Sequence, residues 1–276
     1  MNKIIVATLA YLCLIVTAAW GQDAIEFYNR GLKSSLACKK IEYFTKALQL
    51  NPNLAEAYEK RAIHYYLQRR FDKAIQDYTR VIALKPHRVN AYQMRGLAYL
   101  KKGGDEGLMA QIDPLAFSLS KSRVPESSEL LDRAIDDFSR AIELDPQLAS
   151  AYSYRAEAFH LKGLTNEAIR DSTRAIDLGG SQQTTGRAYT TRAKVYRQLG
   201  LSKLADEDFN KALELDPGYY VYNYVSFTQF LASFATDSSY ISAREVGWSG
   251  LILFVALLFV VIFKLALPDP HKGDDL

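Results

Sequence analysis

Two helical stripes of apolar residues alternate along the middle of the chain. In the first, Tyr58, Ala62 and Tyr65 stand at positions i, i+4 and i+7, which lie on one face of an α-helix. The second stripe repeats this spacing over 74–81. Small alanines facing large aromatics let two helices approach closely, so the alternation predicts helix hairpins.

The hairpin pattern recurs five times. The second helices fall at 41–52, 74–86, 134–146, 168–180 and 204–217, and each ends at proline or glycine. The first helices precede them at 25–35, 57–68, 91–102, 151–162 and 188–199. The period from Pro52 to Pro86, and from Pro146 to Gly180, is 34 residues. Between Pro86 and Pro146 an insertion lengthens it.

A period of 34 residues built from two such helices resembles the tetratricopeptide repeat. The resemblance covers about 24–217 and runs by position in the second copy, at Tyr58, Ala62, Tyr65, Ala74, Tyr78 and Pro86. It implies an all-α fold in which five hairpins stack into a right-handed superhelix. The first helices would line its concave surface.

A helix after the last copy is expected to cap this stack. Its apolar stripe comprises Tyr220, Tyr224, Phe227, Leu231 and Phe234. The repeat domain is therefore predicted over 22–235, with a juxtamembrane linker at 236–247. Aromatic residues outside the stripe indicate a second contact, with lipid headgroups or with a partner.

Both ends of the chain carry apolar segments. Residues 1–21 have one lysine, an apolar run and small residues, which is typical of a secretory signal peptide. An uncleaved anchor is the alternative. Residues 248–267 form a second apolar run, and 246–267 would span about 33 Å as a helix, enough to cross a bilayer once. A short tail, 268–276, follows.

Either interpretation of the N-terminus exports the repeats, so we expect them outside the cytoplasm. Only Cys38 remains after signal removal, which excludes an intramolecular disulfide. The chain has no N-x-Ser/Thr sequon, which favours a bacterial periplasm over a eukaryotic lumen. The net charge of +3 is too close to balance to suggest nucleic-acid binding.

An arginine occupies the same position in the first helix of every copy, where the family often has leucine. An aspartate recurs in the second helix of copies two to five. We expect a structural ladder between Arg61, Arg95, Arg155 and Arg192 and Asp77, Asp137, Asp171 and Asp208. The alternative is an arginine row that binds the carboxylates of a ligand. Copy one has Arg30, but Tyr43 replaces its aspartate.

The concave surface is the candidate partner-binding site, because apolar and aromatic side chains in a groove suit a peptide or a helix. The residues expected there are Tyr28, Ile63, Tyr66, Leu97, Leu100, Glu157, His160, Lys194 and Arg197. The alternative is plain solvent-facing surface.

The insertion at 104–129 is expected to interrupt the turn of copy three, with Gly103 and Gly104 in that turn. Long loops inside compact repeats are often functional, although a tolerated surface loop is equally compatible.

No catalytic constellation stands out. The four histidines never lie at i, i+4 from one another, and no glycine-rich phosphate loop occurs. We therefore expect a non-enzymatic scaffold, with no cofactor and no metal, that binds a protein or peptide partner at a membrane. The alternatives are a binding subunit for a peptide or glycan and a tail-anchored cytoplasmic adaptor resembling a co-chaperone.

Overall fold

The structure, a computed structural model, describes residues 22–112 and 127–216. The chain divides into two units, Met1–Tyr220 and Val221–Leu276, and the described residues all belong to the first. Every regular element in these ranges is an α-helix, as predicted. There are ten: α1 (22–33), α2 (Ala37–Leu50), α3 (Ala55–Leu67), α4 (Phe71–Leu84), α5 (Val89–Ile112), α6 (Ser127–Leu144), α7 (Ala149–Leu161), α8 (Thr165–Leu178), α9 (Gln182–Gln198) and α10 (Ser202–Leu215).

The second helix of each copy ends where the sequence predicts. Helices α2, α4, α6 and α10 end at leucines two residues before Pro52, Pro86, Pro146 and Pro217. Proline has no N–H and pushes the preceding residue out of the helical region. In copy four Gly179 ends α8 with φ +70°, a conformation that glycine adopts without strain.

In copies one to three, a ring of the second helix packs on a small residue of the first helix. Phe44, Tyr78 and Phe138 are almost completely buried. A Cβ added to Gly96 would lie 2.9 Å from the Phe138 ring. The repeated glycine or alanine of the first helices is therefore required by close helix packing.

The hairpins form one layered stack in the described residues. Each of the first helices α3, α5, α7 and α9 packs on the second helix of its own copy and on that of the preceding copy. The buried apolar residues therefore form a core that continues from one copy to the next, as in other repeat proteins.

The insertion in copy three begins as helix and not as a turn, which corrects the expectation for Gly103 and Gly104. Helix α5 has 24 residues, whereas α3 and α7 have 13. Gly103 lies inside α5, and a Cβ there would approach Leu130 Cβ and the Ser127 carbonyl oxygen to 3.2 Å. Glycine is thus used here for close approach of α6. Residues 113–126 lie outside the described ranges.

Several other predicted segments also lie outside the described residues: the signal peptide at 1–21, the capping helix at 219–235, the linker at 236–247, the membrane segment at 248–267 and the tail at 268–276. Among the helices that the structure does describe, none has the length and apolarity needed to cross a membrane.

Candidate functional site

The ladder arginines of copies two to five each bind the aspartate of the same hairpin through two hydrogen bonds. Arg61 donates from Nε and Nη2 to the two carboxylate oxygens of Asp77, at 2.8 and 2.7 Å. Arg95 binds Asp137 at 2.9 and 2.7 Å. The pairs Arg155–Asp171 and Arg192–Asp208 have the same arrangement. Two parallel hydrogen bonds of this kind are the strongest arrangement between a guanidinium and a carboxylate group.

The third nitrogen of each ladder arginine reaches the preceding copy. Arg155 Nη1 donates to Ser139 Oγ at 2.9 Å, and that hydroxyl donates in turn to a backbone carbonyl of α6. The equivalent hydroxyls for Arg61, Arg95 and Arg192 belong to Thr45, Thr79 and Thr173. Each arginine therefore joins the two helices of its hairpin to the hairpin before it.

Aromatic rings flank the ladder arginines three residues before and four residues after. The Arg155 guanidinium lies 5.6 Å from the Tyr152 ring centre and 5.7 Å from that of Phe159. Arg61 and Arg192 lie between two tyrosines in the same way. The sequence carries this signal as Tyr-x-x-Arg-x-x-x-aromatic, although we expected only the carboxylate partners.

The ladder is largely buried. Its arginine side chains are 16% to 19% exposed and its aspartates 3% to 9%. Burial raises the pKa of the Asp77 and Asp137 carboxyl groups, and the hydrogen bonds from their arginines oppose this rise. Since three nitrogens of each guanidinium already bind the chain itself, this geometry supports the structural interpretation over ligand binding.

A second set of polar side chains lies where the first helices face each other. We call it the groove cluster. It comprises Tyr66 of α3, Lys101 of α5, Tyr154, Glu157 and His160 of α7, and Arg187 and Lys194 of α9. Four first helices thus contribute to one site, since stacking brings side chains from different copies together.

Glu157 is the centre of the groove cluster. Its side chain is 17% exposed, and Lys101 Nζ donates to its Oε1 at 3.1 Å. Burial by itself raises the pKa of this carboxyl group. The positive charges of Lys101, Arg187 and Lys194 outweigh burial, so the pKa of Glu157 is lowered. The carboxylate is therefore ionised at neutral pH.

The cations and rings around Glu157 are also partly removed from water. Burial lowers the pKa of Lys194, and the charge of Lys101 lowers it further, while Glu157 opposes both. Burial likewise lowers the pKa of His160, so its ring is neutral at pH 7. The Arg187 guanidinium lies 4.3 Å from the centre of the Tyr154 ring. The site is a compact, half-buried and charged surface.

Three of the nine residues expected on the concave surface lie elsewhere. Leu97 and Leu100 are buried, at 7% and 1% exposure, because α6 and α7 cover them in a core that includes Phe138. Arg197 faces its own hairpin instead: its guanidinium lies 4.5 Å from the Phe209 ring centre and pairs with Asp206.

Tyr28 and Ile63 are half-buried in copies one and two, outside the groove cluster. Tyr28 packs on the Phe44 ring at 5.8 Å, and Ile63 packs against the core around Tyr78. Tyr66, Glu157, His160 and Lys194 are the expected residues that the structure brings together.

Sequence reasoning missed Lys101, Arg187 and Tyr154. Lys101 lies in the middle of α5 and Arg187 in the second turn of α9, in copies three and five, so the spacing within either helix does not mark the two residues as neighbours. The sequence did contain one signal. Glu157 is the single acidic residue in the first helix of copy four, and the first helices of copies three and five, on either side of it, carry basic residues.

Stacked helix hairpins with a charged groove on the first-helix side define a helical-repeat scaffold. The sequence pattern of the tetratricopeptide repeat matches at residues 55–88 and at 186–219. The chain therefore contains tetratricopeptide repeats at these two places.

Relatives of known sequence agree with this assignment. Tetratricopeptide repeat protein 36 from Xenopus tropicalis is 39% identical over 89 residues, which are 32% of this chain and 44% of that protein. The mouse protein of the same name is 32% identical over 42% of this chain and 63% of its own length. Hsp70-Hsp90 organizing protein 3 from Arabidopsis thaliana is 23% identical over 66% of this chain and 34% of its own. The chain thus spans less than two thirds of these relatives.

Solved structures share the fold at low sequence identity. MamA from Desulfovibrio magneticus superposes with a TM-score of 0.56 and 16% identity, over 72% of this chain and 96% of that one. The protein YrrB, described as a TPR protein with an unusual peptide-binding site, has a TM-score of 0.50 and 18% identity over 71% of this chain and 88% of its own. Such similarity establishes the fold alone.

Proposed function

We propose that this chain is a non-enzymatic scaffold that binds a protein partner in the groove formed by its first helices. The observation that carries the proposal is the groove cluster, in which charged and aromatic side chains from four first helices converge on Glu157. Partly burying a charged side chain costs free energy on folding. Charges with a purely structural role are expected to form one-to-one hydrogen-bonded pairs, as the ladder residues do. A half-buried charged surface between the first helices suits recognition of another chain.

The relatives support the proposal by analogy. YrrB is described as having a peptide-binding site, and the Arabidopsis relative is named as an organizing protein for two chaperones. Because the repeat presents side chains of successive first helices along one surface, it suits an extended segment or a helix of a partner.

The scaffold would be held to a membrane by residues 248–267, with the repeats on the non-cytoplasmic side. The apolar run between Trp248 and Phe263 has no charged residue, and the segment 1–21 has the features of a secretory signal. A bacterial periplasm is the compartment favoured by the absence of sequons in the sequence.

Site-specific photo-crosslinking in intact cells tests the proposed groove. A benzophenone amino acid at Tyr154, in the groove cluster, should capture a discrete partner in the full-length chain. The same group at Gln76, an exposed position on the second helix α4, is the matched control and should not capture that partner. Equal capture from both positions, or capture from Gln76 alone, would place the interface away from the groove and end the proposal.

A further inference from the structure

Exposed leucines collect at one end of the helix hairpins, in the turns that join a first helix to its second helix. Each first helix packs on the second helix of its own copy and on that of the preceding copy, so the first helices all run in the same direction. Their turns therefore lie along one edge of the stack. We call this the turn edge, and in copies one, two, four and five it comprises residues 32–40, 67–73, 161–167 and 197–206.

With one exception, every exposed leucine of the described residues belongs to the turn edge. Leu67 is 69% exposed, and Leu36 and Leu199 are 53% and 50% exposed. The remaining members are Leu32, Leu161, Leu164, Leu201 and Leu204, and the exception is Leu213. The described connections between copies, at 50–56, 84–90, 144–150 and 178–184, contain no exposed leucine. Single exposed leucines need no explanation, but a row of them along one edge marks a contact surface.

Three of these leucines stand where a helix normally has a capping residue. Leu36, Leu164 and Leu201 are the N-cap residues of α2, α8 and α10, and none makes a side-chain hydrogen bond to its helix. Serine, threonine, aspartate or asparagine would stabilise each helix at this position. The leucine N-cap of α3, Leu54, packs against the core, whereas these three remain exposed. Neither capping nor core packing therefore accounts for leucine at the turn edge.

The turn edge is also basic. Its four turns contain nine lysines and arginines and three acidic residues, whereas the four connections at the other end of the hairpins contain two of each. Lys33 and Lys203 are exposed beside the leucines. Arg70 and Lys73 lie 5.0 and 5.7 Å from the Tyr65 ring centre, and a ring contact does not neutralise their charge. The exposed apolar side chains thus lie among positive charges.

This combination matches the surface of an anionic lipid bilayer. Leucines enter the boundary between headgroups and acyl chains, while lysines and arginines contact the lipid phosphates. A second copy that docked through the same edge would bring two basic surfaces together, which is unfavourable. Nucleic acid would use the positive charges but leave the leucines in water.

We propose that the turn edge rests on the surface of an anionic lipid bilayer. This contact is separate from the groove cluster and from the apolar run at 248–267. It would orient the stack, with the connections between copies directed away from the lipid.

Lipid contact at the turn edge can be measured at the native Cys38, which is exposed in the turn of copy one. The full-length chain with Cys13→Ser is labelled at Cys38 with the fluorophore NBD and reconstituted into phosphatidylcholine vesicles, with or without phosphatidylglycerol. With phosphatidylglycerol, spin-labelled lipid should quench the NBD emission about threefold, because the edge then lies on the bilayer. In phosphatidylcholine alone the quenching should be small.

The matched control carries the label at the other end of the same hairpin. Asn53→Cys, combined with Cys13→Ser and Cys38→Ser, places NBD at an exposed position in the connection after α2. Its emission should not be quenched in either vesicle. Equal quenching at the two positions would overturn the proposal, and so would quenching that is absent or independent of phosphatidylglycerol. A rise of NBD emission at Cys38 with protein concentration in lipid-free detergent would show that a second copy covers the edge, which also overturns it.

Substitutions test the leucines and the charges separately. Leu36→Ser supplies a better N-cap, so it keeps the helix folded. Combined with Leu67→Ser it should reduce the quenching at Cys38 about threefold. Lys33→Gln with Arg70→Gln should remove the dependence on phosphatidylglycerol. Leu213→Ser changes an exposed leucine outside the turn edge and should have no effect, and a loss of quenching equal to that of the leucine pair would contradict the proposal.

The crosslinking experiment is independent of this one. If Tyr154 captures a partner while Cys38 shows no lipid contact, the inference about the turn edge is wrong and the groove function stands. If Tyr154 captures nothing while Cys38 is quenched, the groove function fails and the turn edge stands.

Discussion

At the scale of single residues, the repeated arginine is explained by the number and direction of its donors. Arg155 uses Nε and Nη2 for Asp171 of its own hairpin and Nη1 for Ser139 of the preceding one. A lysine has one ammonium group and cannot make a planar two-point contact while reaching a third group to the side. The position therefore requires arginine wherever a hairpin must be fixed to its neighbour.

Truncation of a ladder arginine should be strongly destabilising. Arg155→Ala leaves the buried carboxylate of Asp171 without its partner, so we expect a loss of about 3 kcal/mol in the free energy of unfolding. Arg30→Ala is the matched control, because Arg30 occupies the same position of copy one but is exposed, with its ion pair to Glu26 and its guanidinium 5.6 Å from the Phe27 ring centre. It should cost less than about 0.5 kcal/mol. Urea denaturation followed by circular dichroism measures both, and similar losses would contradict the structural role of the ladder.

Unlike the ladder, the groove cluster is expected to lower the stability of the folded chain. Burial lowers the pKa of Lys194 in the folded chain, so the folded state holds this proton less tightly than the unfolded state does. Lys194→Met removes a desolvated charge, and we expect about 1 kcal/mol of added stability at pH 7. A gain in stability combined with a loss of partner capture from Tyr154 would mark Lys194 as a binding residue.

The same argument gives a pH dependence with a definite sign. Since the unfolded state binds more protons at this lysine, its contribution to the stability of the wild-type chain rises with pH between the lowered pKa and the unfolded value of about 10.4. The advantage of Lys194→Met should therefore shrink as the pH is raised toward 10. Thermal unfolding of both proteins across this range measures it, and an advantage that grows with pH would contradict the assigned desolvation.

At the scale of the helices, α5 is longer than the other first helices, yet its arginine still forms the ladder pair. Sixteen residues separate the paired arginine and aspartate in copies two, four and five, and 42 residues separate Arg95 from Asp137. The pair forms with the same geometry, because α5 and α6 still pack together through Gly96 and Gly103. Loop length costs little once the ends are held, so the insertion is accommodated.

The glycines of α5 should differ sharply on substitution. Gly104 lies inside the helix, and an added Cβ would meet only Leu161 Cδ1 at 3.8 Å, so Gly104→Ala should stabilise the chain by about 1 kcal/mol. At Gly96 the added Cβ would lie 2.9 Å from the Phe138 ring, so Gly96→Ala should cost about 1–3 kcal/mol. Differential scanning calorimetry distinguishes the two. A loss of stability with Gly104→Ala would indicate that these glycines form a turn after all.

At the scale of the whole molecule, the proposed function depends on two separate properties of the chain. The groove requires that α3, α5, α7 and α9 stack in register, since each of them contributes to the cluster around Glu157. The proposed anchoring requires only residues 248–267. The two can therefore be altered independently.

The anchoring proposal predicts the behaviour of the chain in cells. Val255→Arg combined with Leu258→Arg should add roughly 5–7 kcal/mol to the cost of membrane insertion and release the chain in soluble form. In the unaltered chain, protease added outside cells (or to spheroplasts, where there is an outer membrane) should digest residues 22–245. Immunoblotting with antibodies to the repeats measures both the release of the double variant and the digestion of the unaltered chain. Repeats that stay protected until the membrane is broken would instead indicate a tail-anchored cytoplasmic protein.

What the sequence determined by itself is the local and periodic part of this protein. The helix positions, their ends before proline and the small residues facing Phe44, Tyr78 and Phe138 follow from spacing within one copy. The pairing of the ladder arginines with these aspartates also belongs to this part, whereas the structure decided that each pair forms within one hairpin.

Only the tertiary structure decided which side chains from different copies meet. Leu97 and Leu100 have the spacing of groove residues, yet α6 of their own hairpin and α7 of the next one cover them. Lys101 and Arg187 belong to copies three and five but act on the same carboxylate, Glu157. Such contacts depend on the angle at which successive hairpins stack. That angle is the result of packing over the whole interface, and no periodicity in the sequence records it.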